Sequence, residues 1–441
     1  MSLFGAMNTA ISGLTAQSSA FSNISDNVAN SQSVGFKRVD TSFIDYLTTS
    51  TAAQNDSGAV VARPDYVNNV QGTITQTDDP LGLAIAGQGF FAVSQQSGQV
   101  GSAPTFNAQQ YYSRAGDFQM DSNGYLVNSA GEFLNGWPVN PATGVVNQNT
   151  LAPIQVTQTV YKPVATSNAT LSANLPATPA TGTAVAAAPI SSDIDVYDSL
   201  GTLHTVSLNW VQNAADDWTV SVNAPDMGAG AALGSAEVQF GPATSGEPVA
   251  AGTVGQITTA TGTVTSPGYS AGGPAALTFT ADFGSGPQAV TLNLGTYGGT
   301  NGVTQYAGTQ FSLNGLTQDG VPPGAFSSVT TQTNGNIVVN YNNGQSRTIA
   351  QVPVVTFNAP DNLQRQNGQA FTATTDSGTP LAEDAGNNGA GSLVTQSVEG
   401  SNVDIATEFS QLIVAQQAYS ANTKVVTTAD QMLQETINMQ Q

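Results

Sequence analysis

Glycine and proline placement constrains this chain more than any other feature of its sequence. The first of its 21 prolines is Pro64, the last is Pro380, and no glycine follows Gly400. A helix interior loses about 3 kcal/mol to a proline and about 1 kcal/mol to a glycine. Long helices are therefore open only to the two ends, while the middle is punctuated like an all-β protein. The fold class expected is mainly β with α-helical termini. It is a nested multidomain subunit with coiled-coil-like N- and C-terminal helices, an inner β-domain and an outer inserted β-domain.

At the N-terminal end Phe4, Met7, Ile11, Leu14, Phe21 and Val28 fall on alternating three- and four-residue steps, with Ser18 and Ser25 in the skipped positions. This is a heptad-like seam. It runs out near Asn30, because Ser31, Gln32, Ser33 and Gly35 favour a turn, which then presents Phe36, Lys37 and Arg38. At the other end Ser401 or Asn402 can cap a helix with Asp404 in its first turn. Ile405, Phe409, Leu412, Tyr419, Val426, Leu433 and Ile437 repeat on the same step, interrupted by Gln416, Thr423 and Asp430. At about 1.5 Å per residue, residues 402–439 would make a rod of roughly 55 Å. Two narrow apolar stripes can close on each other as an intramolecular hairpin or be completed by neighbouring copies. The polar interruptions favour the second reading and ends that order only on assembly.

Between the ends, strand signals come in order. Leu81, Leu83 and Ile85 alternate into Gly87-Gln88-Gly89, and Phe91 and Val93 alternate out, which reads as a turn-linked strand pair. Asn123-Gly124, Asn334-Gly335 and Asn343-Gly344 mark further turns beside Tyr125-Leu126-Val127 and a strand with Ile337, Val339 and Tyr341. The insertion has its own strands at residues 194–197, 205–210, 218–222, 277–281 and 290–294, although residues 228–320 approach low complexity. The expected domains are 1–70 with 392–441 as terminal helices plus linker, 71–160 with 331–391 as the inner β-domain, and 161–330 as the outer insertion, in one module or two. Such nesting puts both termini at one end of the molecule.

Composition removes several function classes. There is no cysteine and a single histidine, His204, so cysteine-based metal or redox sites are out and a histidine-dependent triad would need that one residue. The net charge of −21 reflects only eight Lys and Arg, with none between residues 163 and 346, which disfavours nucleic acid. No run approaches the roughly 20 apolar residues of a membrane helix, and the first 36 residues carry no Lys or Arg for a cleavable signal. The Gly-, Ser-, Thr- and Asn-rich middle is nonetheless typical of extracellular β-proteins. An export route that removes nothing from the N-terminus reconciles the two.

Candidate chemical motifs reduce to structure. Gly87-Gln88-Gly89-Phe90-Phe91-Ala92 is followed by a strand rather than the helix a dinucleotide site requires. Asp193 and Asp195 share a strand face without a ligand loop around them, and Asp121-Ser122-Asn123-Gly124 lacks the later residues of a calcium loop. His204 follows a turn and enters a strand. No catalytic residue, cofactor or metal is expected. Lys37-Arg38, set directly after the first helix, is placed to meet carboxylates of a neighbouring subunit.

Residues 27–38, Asn27-Val-Ala-Asn-Ser-Gln-Ser-Val-Gly-Phe-Lys-Arg38, resemble the N-terminal signature of the flagellar rod and hook family. Ser401-Asn-Val-Asp404, Ile413-Val-Ala-Gln-Gln-Ala-Tyr419 and Thr428-Ala-Asp-Gln-Met-Leu433 resemble its C-terminal one. Residues 83–91 and 113–118 look like its first β-domain, and Val196 to His204 resembles a segment of its hook members. Gln417 departs from the family, which commonly has arginine there. The resemblance implies a hook-type subunit, exported through the flagellar type III apparatus and polymerised beneath a cap into a bendable universal joint between rod and filament. Its partners would be other copies of itself and the rod, cap and hook–filament junction proteins. The seam residues named above, with Asn30, Gly35, Phe36, Lys37, Arg38, Asn402, Gln416 and Asp430, are then the candidate subunit contacts. A distal rod protein shares the terminal motifs but is usually much shorter. A secreted adhesin-like β-protein fits the middle but leaves the two helical ends unexplained.

Overall fold

The computed structural model describes residues 3–51, 54–101, 103–177, 189–227, 231–242, 249–308 and 310–439. The chain divides into two units. Unit 1 is Met1–Gln158, Ser327–Asn340 and Ser346–Gln441; unit 2 is Thr159–Phe326 and Tyr341–Gln345. The architecture is mainly β with one long helix toward each end of the chain.

In unit 1, helix α1 spans Leu3–Ala29 and helix α2 Ile405–Asn438. Helix α2 starts at Asp404, whose Oδ1 accepts the N–H groups of Ala406 and Thr407 at 2.9 and 3.2 Å. The cap is thus Asp404 itself, not Ser401 or Asn402, because a carboxylate satisfies two orphan donors and sits at the positive end of the helix dipole. Between the helices, strands β1 (Val39–Thr51) and β2 (Gln54–Tyr66) pair antiparallel from Val39↔Tyr66 to Thr51↔Gln54. This hairpin occupies much of the linker expected between the first helix and the β-domain. It packs against α1, with the Val60 N–H donating to Ser12 Oγ and Asn23 Nδ2 to Thr41 Oγ1.

The β-domain of unit 1 is built around a strand at Phe91–Val100, which pairs with Tyr111–Ser113 on one side and Glu132–Pro138 on the other. Glu132–Pro138 continues to Ser346–Gln351 and on to Asn336–Tyr341, so the blocks before and after the insertion join in one sheet. Leu83, Ile85, Phe91, Val93, Phe118, Leu134, Val352 and Val354 are fully buried. Leu83–Ala86 does not pair with Phe91–Val100 as the alternation suggested; it pairs with Ser392–Thr395. Gly87 and Gly89, at φ +110° and +126°, turn the chain so that Phe90 bonds Val355 instead.

Unit 2 carries two sheets over one core. Ile190–Tyr197, Leu203–Ala214, Asp217–Ala224, Ala231–Phe240 and Val254–Thr258 form an antiparallel meander. Pro274–Asp282, Pro287–Thr296 and Asn168–Asn174 lead the second sheet. Ile194, Val196, Val206, Leu208, Trp210 and Val220 from the first meet Leu171, Leu277, Phe279, Val290 and Leu292 from the second in a single buried cluster. Strict two-residue alternation supplies each inner face.

Candidate assembly surface

The turn after α1 is held from within its own chain. Gly35, at φ +71°, donates its N–H to the Glu399 carbonyl at 2.7 Å, and a Cβ added there would lie 2.3 Å from Ala115 N. Phe36 is buried, with the Arg365 guanidinium 4.2 Å over its ring centre. Lys37, expected to reach a neighbour's carboxylate, is instead buried on Glu399, Nζ to Oε1 at 2.6 Å, and donates also to the Val70 carbonyl at 2.7 Å. Arg114 donates to Glu399 Oε2 at 2.8 Å and grips the carbonyls of Ile85 and Gly87. Two cations thus share one carboxylate with almost no solvent access. Burial pushes the Lys37 ammonium down to about 8 despite the attraction of Glu399.

Asn402 is likewise internal. Its Oδ1 accepts the Arg38 N–H at 2.7 Å, and its Nδ2 donates to the carbonyls of Val67 and Val70. Arg38 is half-buried and faces Asp40 at 3.3 Å. Asn30 donates to the carbonyl and carboxylate of Asp26 in the last turn of α1. Gly35, Phe36, Lys37 and Asn402 therefore form a frame that sets where the helices leave the β-domain.

The helix pair divides the predicted seam. Met7, Leu14, Phe21, Val28, Leu412, Val426 and Leu433 are half-buried. Phe4 (65 % exposed), Ile11, Ile405, Phe409 (52 %), Tyr419 and Ile437 (59 %) are exposed, as are Gln416, Gln417 and Asp430. What the subunit buries on α1 is Ala10, Ala16, Ala20, Ile24 and Asn27, and on α2 Glu408, Ala415 and Ala429. Small side chains let the helices come together, with Gly13 lying against Asn422 and Phe21 meeting Tyr419 edge to face at 6.3 Å. Phe4, Ile11, Ile405, Phe409 and Ile437 stay exposed.

Sequence reasoning missed two parts of this surface. The β1–β2 hairpin exposes Phe43, Tyr46, Leu47 and Val61, and α2 exposes Ile413, Val414, Val425 and Met432 besides the seam. The β-branched and aromatic run Val39 to Thr51, followed by Asn55-Asp56-Ser57-Gly58 and Val60-Val61, is the signal that would have found the hairpin. A groove of about 510 Å³ lies between α1, β1 and α2, lined among others by Ala20, Ile24, Val39, Phe43, Val414 and Ala415.

His204 stacks on Phe283 at 4.1 Å, with Asp226 and Asp198 at 3.4 and 3.7 Å from its two nitrogens. Asp193 accepts from Ser207, and Asp121 accepts the N–H groups of Asn123 and Tyr125 in a tight turn.

Family models match in the same order along the chain. They are a flagella basal body rod protein model at residues 7–37 and a flagellar hook protein FlgE/F/G D1 domain at 84–173. A flagellar basal body protein FlaE D2 domain follows at 166–321, and a flagellar basal body rod FlgEFG protein C-terminal model at 394–439. The flagellar hook protein FlgE of Brucella abortus is 31% identical over 443 residues, the whole of both chains. The chain belongs to the flagellar hook protein FlgE family. The FlgE of Salmonella typhimurium is 28% identical over 98% of each chain, and that of Escherichia coli 27% identical. A crystal structure of Helicobacter pylori FlgE2 aligns at a TM-score of 0.47 and 12% identity, over 72% of this chain and 98% of that one. FlgE proteins are structural subunits of the flagellum, and this chain carries the family's segments from one end to the other.

Proposed function

We propose that this chain polymerises with copies of itself into the flexible tube of the flagellar hook, the joint that couples the basal-body rod to the filament and passes on motor torque. The observation that carries this reading is the helix pair, which buries mostly alanines and leaves Phe4, Ile11, Phe409 and Ile437 uncovered. Apolar side chains of that size, arranged along paired helices, are stabilised when further copies cover them. Phe4, Ile11, Ile405, Phe409, Tyr419 and Ile437 then make subunit contacts, with Gln416 and Asp430 as polar neighbours. Gly35, Phe36, Lys37 and Asn402 hold the frame from which these contacts project.

The subunit passes through the flagellum's own type III export apparatus with its N-terminus intact, and joins rod, cap and filament-junction proteins outside the cell. Residues 1–70 with 392–441 serve as the terminal helical segment plus linker, 71–160 with 331–391 as the inner β-domain, and 161–330 as the outer insertion. No step of this function is catalytic. Electron microscopy of the purified, polymerised chain tests the reading. Short curved tubes are expected, straight tubes would indicate a rod protein, and failure to polymerise under any condition would favour an adhesin.

A further inference from the structure

The last turn of α1, the first residue of β1 and the first turns of α2 meet at one side chain. Asn27 is buried; its Oδ1 accepts the Val39 N–H at 2.9 Å, and its Nδ2 donates to the Val39 carbonyl at 3.0 Å. These two bonds lock α1 to β1. The same Nδ2 donates to Glu408 Oε1 at 3.1 Å, the bond that brings α2 into the knot.

Glu408 is 1 % exposed, and among the described residues its Oε2 meets no donor. The groups around it come from each packed element. Helix α1 contributes the uncharged Asn27; β1 contributes Asp40, whose Oδ1 also lacks a partner; α2 contributes Asp404 in its cap. The one cation among the described residues around it is Arg38, just before β1. Its Nη2 is turned to Asp40 at 3.3 Å, and its Nε is buried without an acceptor. An ionised Glu408 would be a buried charge with a single neutral donor, beside two other carboxylates. With a proton it loses the charge and gains an O–H donor of its own. Burial pushes its carboxyl above the ordinary range, and Asp40 and Asp404 add to the effect against the opposing Asn27 bond and Arg38.

We propose that Glu408 is the positioning residue that registers α2 against α1 and β1, acting through Asn27, and that it does so as the neutral acid. Its consequence for polymer growth rests on the hook reading; the docking itself does not. A carboxyl that holds its proton better when docked contributes stability that is complete in acid and is lost as pH rises through its titration. Docking of α2 is therefore tightest at low pH.

Hydrogen exchange of the soluble full-length chain at pH 5 and pH 8, expressed as protection over intrinsic rates, tests this with Glu408→Gln and Glu408→Ala. Wild-type α1 and α2 amides should be about tenfold better protected at pH 5, equivalent to ~1.4 kcal/mol. Glu408→Gln, which keeps the acceptor for Asn27 without the charge, should match that protection at both pH values, and Glu408→Ala should be poorly protected at both. Equal wild-type protection at the two pH values, or a Gln variant no better protected than the Ala variant, would overturn the proposal. Polymerisation of the same proteins separates the two readings. A wild type that never polymerises sinks the hook function and leaves the exchange result standing. Polymers formed equally by wild type and Ala variant sink the role of Glu408 in assembly.

Discussion

Single side chains carry the junction of unit 1, and the buried ones make sharp predictions. Glu399 answers two cations, Lys37 and Arg114. Glu399→Gln leaves both without a countercharge and should cost about 3–5 kcal/mol in denaturant unfolding, whereas an exposed carboxylate exchanged in the same way should cost almost nothing. Glu132 is a separate case. It is buried, accepts from Asn128 Nδ2 at 2.9 Å, and burial pushes its carboxyl up to about 7 from 4.5. The stabilisation linked to its proton is complete below pH 4.5 and fades as pH rises through about 7. Glu132→Gln should abolish that slope and be the more stable protein at pH 8, by on the order of 3 kcal/mol, which thermal unfolding across pH would measure. Gly35→Ala forces a Cβ into the Ala115 backbone at positive φ, so a loss of more than about 1 kcal/mol is expected in the same assay.

At the scale of elements, the two ends of the chain were legible because proline and glycine punctuate everything else, and a 3.6-residue period survives only without them. The strands of unit 2 were legible for the complementary reason, since Ile194, Val196, Val206 and Leu208 alternate without exception. Pairing was not legible. Leu83–Ala86 finds its partner at Ser392–Thr395, with Leu83 facing Thr395, 312 residues on, and no local signal reports that. The direction of the helices was also hidden. A heptad seam names the apolar positions but not which of them the subunit covers, and the fully buried positions are mostly small residues beside the seam. Phe409→Ser should therefore leave the monomer's melting within about 0.5 kcal/mol of wild type while raising the concentration needed for polymers to sediment. An equal loss in both assays would show that Phe409 is already covered in the monomer.

Charge acts on the whole molecule. Ten Asp and Glu and no Lys or Arg lie between residues 163 and 346, within a net charge of −21. Copies of such a chain repel one another over a Debye length of about 10 Å at 0.1 M salt. Polymer growth should accelerate as monovalent salt rises from low concentration, and a variant lacking residues 165–330 should respond far less, as light scattering would record. That variant should still be exported, yet form hooks of altered curvature or stiffness.

The buried side chains of the helix pair are mostly short, Ala10, Ala16 and Ala20 on α1 and Ala415 and Ala429 on α2, and larger contacts such as Phe21 on Tyr419 and Gly13 against Asn422 are few. Such a contact resists separation far more than lengthwise creep. The helix pair then behaves as a rail held at a few points, of which the Asn27–Glu408 bond near the root of α2 is a buried polar one, and strain applied along the rail falls on those points.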